Sequence, residues 1–175
     1  DDVPDLVLVV VAVDPAVTSG DDSDDTGIVT VGADAGGHLW VLADDTCHLS
    51  PEGWASVAVG ALDRWDADRI IGEVNNGGDL VETVLRAVDR SVPYRKVSAS
   101  RGKRVRAEPV AALYEQGRVH HVGVLADLEA QMTQWAPDST QGSPDRVDAL
   151  VWACTELGVG HGRRRRGVVL SGLAA

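Results

Sequence analysis

The stretch Leu6-Val-Leu-Val-Val-Val-Ala-Val13, followed directly by Asp14-Pro15, decides the fold class. Eight consecutive apolar residues, most of them β-branched, predict a strand that is buried on both faces. The strand ends before Pro15, because proline has no backbone N–H to donate to a neighbouring strand. Asp14 therefore closes an otherwise fully apolar strand, which is an unusual place for a carboxylate.

Strand and helix signals follow in an order that indicates an α/β fold. Residues 26–33 and 38–43 predict two strands joined by a tight hairpin at Asp34-Ala-Gly-Gly37, with positive φ at Gly36 and Gly37. The first three strands are expected to be antiparallel, and alternating helices and strands follow them, so we expect a mixed sheet with helices on its faces. Later strands are predicted at residues 69–75, 92–97 and 118–121, and helices at residues 51–65 (with Ser50 as N-cap), 80–88, 105–116, 125–135 and 144–157.

Length and composition favour one acidic globular domain. The chain has 175 residues, 44% apolar and 25% charged, which suits one domain over residues 1–159 and a basic, flexible tail over residues 160–175. A formal net charge of −11 argues against a protein that coats nucleic acid, but it permits an enzyme that gathers acids around metal ions and basic residues in one groove. Cys47 and Cys154 suggest neither a zinc ribbon nor a disulfide framework. The longest apolar run has 8 residues, well short of the ~20 that cross a bilayer, so we expect a soluble intracellular protein.

Acidic residues at two strand ends are the most informative feature. Besides Asp14, Glu73 lies within the otherwise apolar Ile70-Ile-Gly-Glu-Val74. Burying an unpaired carboxylate is costly, so such a residue needs a cation, a hydrogen-bond network or a raised pKa. Two simpler readings are open: Asp14 as a turn-forming residue before proline, and Glu73 as a strand-end acid paired with an arginine.

The last predicted helix opens with a third acidic feature, Ser143-Pro-Asp-Arg-Val-Asp-Ala149. A serine N-cap, a proline at the first position and acids in the first turn all suit the helix dipole, so capping is one explanation. Asp145 and Asp148 are three residues apart and share one helix face. Together with Asp14 and Glu73 they form a spaced carboxylate set, which two-metal phosphodiester cleavage needs to hold two Mg²⁺ or Mn²⁺ ions ~3.5–4 Å apart.

Six ordered motifs resemble those of a known family. They are Val13-Asp14-Pro15-Ala16, the acidic loop with Thr26-Gly27-Ile28, Gly72-Glu73-Val74-Asn75-Asn76-Gly77-Gly78, Ser100-Arg-Gly-Lys103 with Arg106-Ala107-Glu108-Pro109, Tyr114-Glu-Gln-Gly-Arg-Val119, and Asp145-Arg-Val-Asp148-Ala149-Leu150. From about Leu6 to Leu157 the chain resembles the C-terminal nuclease domain of the large terminase subunit of tailed bacteriophages, an RNase H-like fold.

This resemblance implies a metal-dependent endonuclease that cuts concatemeric viral DNA during genome packaging, in the cytoplasm of the infected host. Asp14 and Glu73 would be catalytic metal ligands, with an acid of the last helix as the third. Family members often have two adjacent acids where this chain has Pro144-Asp145, so both Asp145 and Asp148 are catalytic and metal-binding candidates. The implied partners are double-stranded DNA, the terminase ATPase domain, the small terminase subunit and the portal, with no membrane.

Residues 94–106 form the best candidate for a phosphate-contacting surface. They carry six of the sixteen positive charges of an acidic chain. The DNA-binding candidates are Arg101, Lys103, Arg104 and Arg106, with Lys103 nearest the scissile strand. A solvated loop and helix start is the alternative reading, and the four arginines at 163–166 fit either DNA binding or a flexible tail.

Two other functions are compatible with the sequence. One is a non-catalytic RNase H-like docking module of the packaging motor, in which the acids would be helix caps and solvated charges. The other is a different RNase H-like nuclease such as a junction resolvase. Loss of metal binding in Asp14→Asn would separate a nuclease from a docking module, and cleavage restricted to four-way junctions would indicate a resolvase.

Overall fold

A six-stranded mixed sheet forms the centre of the computed structural model, which describes residues 3–15, 25–73, 79–98, 102–134 and 144–159. The strands are β1 (Leu6–Asp14), β2 (Gly27–Asp34), β3 (Leu39–Asp44), β4 (Arg69–Glu73), β5 (Tyr94–Val97) and β6 (Val119–His121). They lie in the order β5-β4-β1-β2-β3-β6. The first three are antiparallel, while β4 is parallel to β1, β5 to β4 and β6 to β3. The predicted mixed α/β sheet is confirmed, and the short extended piece predicted after Gly117 is β6, one of its two edge strands.

Helices cover both faces of this sheet. They are α1 (Pro51–Arg64), α2 (Asp79–Val88), α3 (Lys103–Glu115), α4 (Ala126–Gln134) and α5 (Asp145–Cys154), the last continuing as a π-helical turn at Thr155–Val159. Val11 and Val13 of β1 pack in the core beneath α1 and α2, whereas Val10 and Ala12 pack in the core beneath α5. The strand is therefore buried on both faces, as its continuous apolar sequence predicts. None of the described helices is both long and apolar enough to cross a bilayer.

Most of the predicted helix caps, turns and strand ends lie at or near the residues expected from the sequence. Ser50 caps α1 by accepting a hydrogen bond from the Gly53 amide at 3.3 Å. In the hairpin between β2 and β3 only Gly37 has a positive φ, of +83°, so the expectation for Gly36 is wrong: one left-handed residue suffices for this turn. The strand predicted from residue 92 begins only at Tyr94, after Pro93, which lacks a donor for a ladder.

Several predictions fall outside the described residues. These are the acidic loop that precedes Thr26, except for its last residue Asp25, the glycine-rich segment at 74–78, Arg101, the last residue of the helix predicted at 125–135, Ser143 and the tail at 160–175. Within the described part both thiols are free, with Cys154 buried and Cys47 partly buried.

Candidate active site

Asp14 and Glu73 lie side by side at the ends of two parallel strands. Val13 of β1 is paired with Gly72 of β4, so the next residue of each strand is one of the two acids. Side chains alternate between faces along a strand. Because Ala12 and Ile71 pack beneath α5, Asp14 and Glu73 leave the sheet on that same face.

The first turn of α5 brings Asp145 and Asp148 to the same place. Both residues are buried, with 7% and 6% of their surface exposed. The approach depends on Gly27, which pairs with Asp14 across β1 and β2. A Cβ at Gly27 would lie 2.1 Å from the carbonyl oxygen of Asp145, so no other residue type allows the helix to pack this closely.

Helix capping does not account for these two acids. Pro144, the N-cap residue of α5, makes no capping hydrogen bond, and the side chain that accepts from the first turn is Gln131 of α4, from the Val147 amide at 3.0 Å. A carboxylate that serves a helix dipole usually does so at the exposed surface, whereas Asp145 and Asp148 are turned towards the sheet and buried.

The electrostatics of Asp14 show that the four carboxylates form one cluster. Removal from water raises the pKa of Asp14 to about 7, and the negative charge of Asp148 is the next largest cause. Glu73 and Asp145 raise this pKa further, while Lys103 lowers it. A carboxyl whose pKa is raised by burial and by like-charged neighbours is a position where a cation would be strongly stabilised.

Lys103, the first residue of α3, lies against this cluster. Its Nζ is 2.5 Å from Oδ2 of Asp148, and its side chain is half-exposed. Partial burial disfavours the ammonium charge, but the hydrogen bond to Asp148 and the charges of Asp148, Asp14 and Asp145 outweigh it and raise the pKa of Lys103. The ammonium is a counter-ion for the acids and can still be reached from solvent.

Glu73 is held from below by two residues, one on α5 and one on α3. The indole Nε1–H of Trp152 donates to Oε2 of Glu73 at 3.1 Å. Arg106 places NH1 3.6 Å from the same oxygen, and its guanidinium lies 4.3 Å from the centre of the Trp152 ring. The alternative interpretation of Glu73, a strand-end acid paired with an arginine, therefore agrees with this ion pair.

Trp152 is not among the site residues predicted from the sequence, although its indole N–H contacts Glu73. The ring is buried in the core beneath α5. The signal that could have revealed the contact is the spacing of Asp145, Asp148 and Trp152. Steps of three and four residues place all three on one helix face.

The described DNA-binding candidates differ in exposure. Arg104 is 63% exposed and pairs loosely with Glu108 one turn along α3, at 3.5 Å. Lys103 is half-exposed, whereas Arg106 is only 12% exposed, beneath Glu73. The helix therefore presents Lys103 and Arg104 to solvent and turns Arg106 inward.

The donor set fits hard divalent cations. In the described part of the chain, no group of three or more His, Cys, Asp or Glu side chains already stands in an arrangement that could hold a metal ion. The cluster nevertheless supplies only carboxylate oxygens, which Mg²⁺ and Mn²⁺ prefer. Mg²⁺ in particular is often bound through one or two carboxylates together with substrate phosphates.

The strand order and the position of the acids define an RNase H-like fold, with the cluster at the ends of β1 and β4 and on the last helix. The chain belongs to the family described as the terminase RNaseH-like domain, whose model matches residues 11–157. The resemblance of the six motifs is thereby confirmed at the level of the family. No curated protein matches the sequence.

Solved structures of terminase nucleases share this fold. The large terminase nuclease of the thermophilic phage G20c with bound magnesium has a TM-score of 0.66 at 14% identity, over 89% of this chain and 84% of its own. The human cytomegalovirus terminase nuclease domain has a TM-score of 0.65 at 16% identity, over 83% and 81%. The nuclease domain of the large terminase subunit gp2 of bacterial virus Sf6, a K428A mutant with manganese and beta-thujaplicinol, has a TM-score of 0.59 at 17% identity, over 83% and 87%.

Proposed function

We propose that this chain is the nuclease part of a large terminase subunit, a metal-dependent endonuclease that cuts concatemeric viral DNA during genome packaging. The observation that carries this proposal is the convergence of Glu73, Asp145 and Asp148 on the desolvated Asp14. A non-catalytic docking module would not be expected to keep such a cluster, because like charges that are partly removed from water destabilise the folded state. Family membership and the metal-bound relatives support the same choice.

In this proposal Asp14 and Glu73 hold the metal ions, and Asp148 or Asp145 is the third ligand. Two divalent ions, Mg²⁺ or Mn²⁺, would activate the attacking water and stabilise the leaving oxygen. The chain itself provides the rigid frame. Strands β1 and β4 hold two carboxylates at adjacent ends, and Gly27 admits the first turn of α5 to them.

The first turn of α3 would bind the DNA backbone beside the acids. Lys103 and Arg104 are accessible and Arg101 precedes them, so these three residues would contact phosphates. Arg106 would add positive potential from beneath the surface. Because the chain carries a net charge of −11, this local cationic surface must supply most of the attraction for DNA.

We infer the biological setting from the family. The substrate would be double-stranded DNA, and the partners the terminase ATPase domain, the small terminase subunit and the portal, in the host cytoplasm. The nuclease domain would comprise residues 1–159, followed by the basic tail at residues 160–175.

Plasmid nicking by the purified chain in Mn²⁺, Mg²⁺ or EDTA tests the activity. We expect cutting with either ion, none with EDTA, and loss to background in Asp14→Asn and Glu73→Gln. Comparing Asp145→Asn with Asp148→Asn identifies the third ligand. Asp63→Asn, an exposed change on α1, is the matched control and should cut like the parent chain.

A calorimetric Mn²⁺ titration of the same proteins separates the competing functions. A parent chain that neither cuts nor binds Mn²⁺ would contradict the proposal and favour a docking module. Cutting confined to four-way junctions would contradict the packaging role and favour a resolvase.

A further inference from the structure

A pair of residues beneath Glu73 links α3 to α5. Trp152 is 5% exposed, and the guanidinium of Arg106 lies over its ring. The indole N–H of Trp152 donates a hydrogen bond to Oε2 of Glu73, and NH1 of Arg106 lies 3.6 Å from the same oxygen as an ion pair. The carboxylate is thus approached from below by a neutral donor on one helix and by a cation on another.

Stability alone does not explain the buried arginine. Its Nε is buried, and within the described residues it has no hydrogen-bond partner. Its ion pair with Glu73 is long, at 3.6 Å. A buried guanidinium satisfied this incompletely stabilises a fold no better than an apolar side chain of similar size would.

The two contacts do have a clear effect on Glu73. The last torsion of a glutamate side chain is broad, so an unrestrained carboxylate samples many orientations. A hydrogen bond from Trp152 on one helix and an ion pair with Arg106 on another, both at the same oxygen, restrict that torsion. A ligand whose orientation is fixed beforehand loses less conformational entropy when it binds a cation.

We propose that Trp152 and Arg106 are positioning residues that fix the carboxylate of Glu73 for metal binding. This inference rests on the proposed function, in which Glu73 is a metal ligand. Partners that orient metal ligands typically change metal affinity or activity by about 10–100-fold when removed. In this role Trp152 and Arg106 act through Glu73 and need not contact the metal or the DNA.

Two variants test the inference without altering the charge of the site. Trp152→Phe removes the indole donor and keeps an aromatic ring, and Arg106→Lys keeps a cation but loses the planar group over the ring. We expect the Mn²⁺ dissociation constant, measured by calorimetry, to rise about 10-fold in Trp152→Phe and to rise also in Arg106→Lys. In Trp152→Phe the Mn²⁺ concentration for half-maximal nicking should rise equally, while the rate at saturating Mn²⁺ returns close to that of the parent chain.

Trp54→Phe is the matched control, because Trp54 is also 5% exposed but packs beneath α1 on the other face of the sheet. It should lose stability without any change in Mn²⁺ affinity. If both Trp152→Phe and Arg106→Lys bind Mn²⁺ like the parent chain while Glu73→Gln does not, the inference is overturned and the proposed function stands. If Glu73→Gln itself binds Mn²⁺ normally, the proposed function fails. Should Trp152→Phe not fold, Arg106→Lys decides by the same criterion.

Discussion

Replacing Asp14 by asparagine should stabilise the metal-free protein at neutral pH while abolishing the proposed activity. The pKa of Asp14 rises from 3.8 to about 7 in the fold. Since one pKa unit corresponds to 1.36 kcal/mol, this shift of about three units amounts to about 4 kcal/mol at most. The folded state binds the proton more tightly than the unfolded state. The free energy of unfolding contributed by Asp14 is therefore fully present below pH 3.8, falls as pH rises, and is lost above about pH 7.

Urea unfolding in EDTA across pH 4.5 to 8.5 measures this effect directly. Asparagine does not titrate, so the advantage of Asp14→Asn over the parent chain should grow with pH, towards about 4 kcal/mol near pH 8. Added Mn²⁺ should recover stability in the parent chain and not in the variant. Asp63→Asn should track the parent chain throughout. Parallel curves for Asp14→Asn and the parent chain, with no divergence between pH 5 and 8, would refute the reasoning that Asp14 is desolvated among like charges.

Three further changes have expected outcomes. Gly27→Ala places a methyl group against the carbonyl of Asp145, so we expect a loss of about 1–3 kcal/mol and of nicking; an active, fully stable variant would contradict this packing. Thr30→Val should raise the free energy of unfolding by about 1 kcal/mol with nicking unchanged, because the Thr30 hydroxyl is buried with no hydrogen-bond partner among the described residues; destabilisation in thermal melts would disprove it. Lys103→Gln should weaken DNA binding and reduce the salt dependence of DNA affinity by a slope of about 1. It should also tighten Mn²⁺ binding, because Asp148 loses its counter-ion. If the affinities for DNA and for Mn²⁺ change in the same direction, Lys103 does not serve both as counter-ion and as phosphate contact.

The sheet was predictable because its signals are local. The apolar run of β1 indicates a strand buried on both faces, and alternation along β1 and β4 is enough to put Asp14 and Glu73 on one side once the strands are paired. A carboxylate within such a strand conflicts with burial, and that conflict is visible without any structure.

The surroundings of the acids could not be predicted, because they depend on contacts between distant elements. In the sequence nothing distinguishes Gly27 from the other glycines. In the fold α5 lies across it, and the backbone of Asp145 leaves no room for a Cβ at this position. Arg106 belongs to a basic run that indicates a solvated or DNA-binding surface, yet the packing of α3 on α5 turns it inward onto Trp152. The composition of a charge run does not indicate which of its members is buried.

The same helix that would bind DNA also makes the acid cluster tolerable without metal. Four carboxylates at one sheet end repel one another, and a proton on Asp14 and the ammonium of Lys103 both reduce that repulsion. A divalent cation would replace both, since it binds the carboxylates more strongly and releases Lys103. The freed ammonium of Lys103 would then lie at the N-terminus of α3, next to the exposed Arg104 and beside the bound cation. Metal binding and DNA binding are therefore expected to favour each other in this chain, through one lysine whose partner changes from a carboxylate to a phosphate.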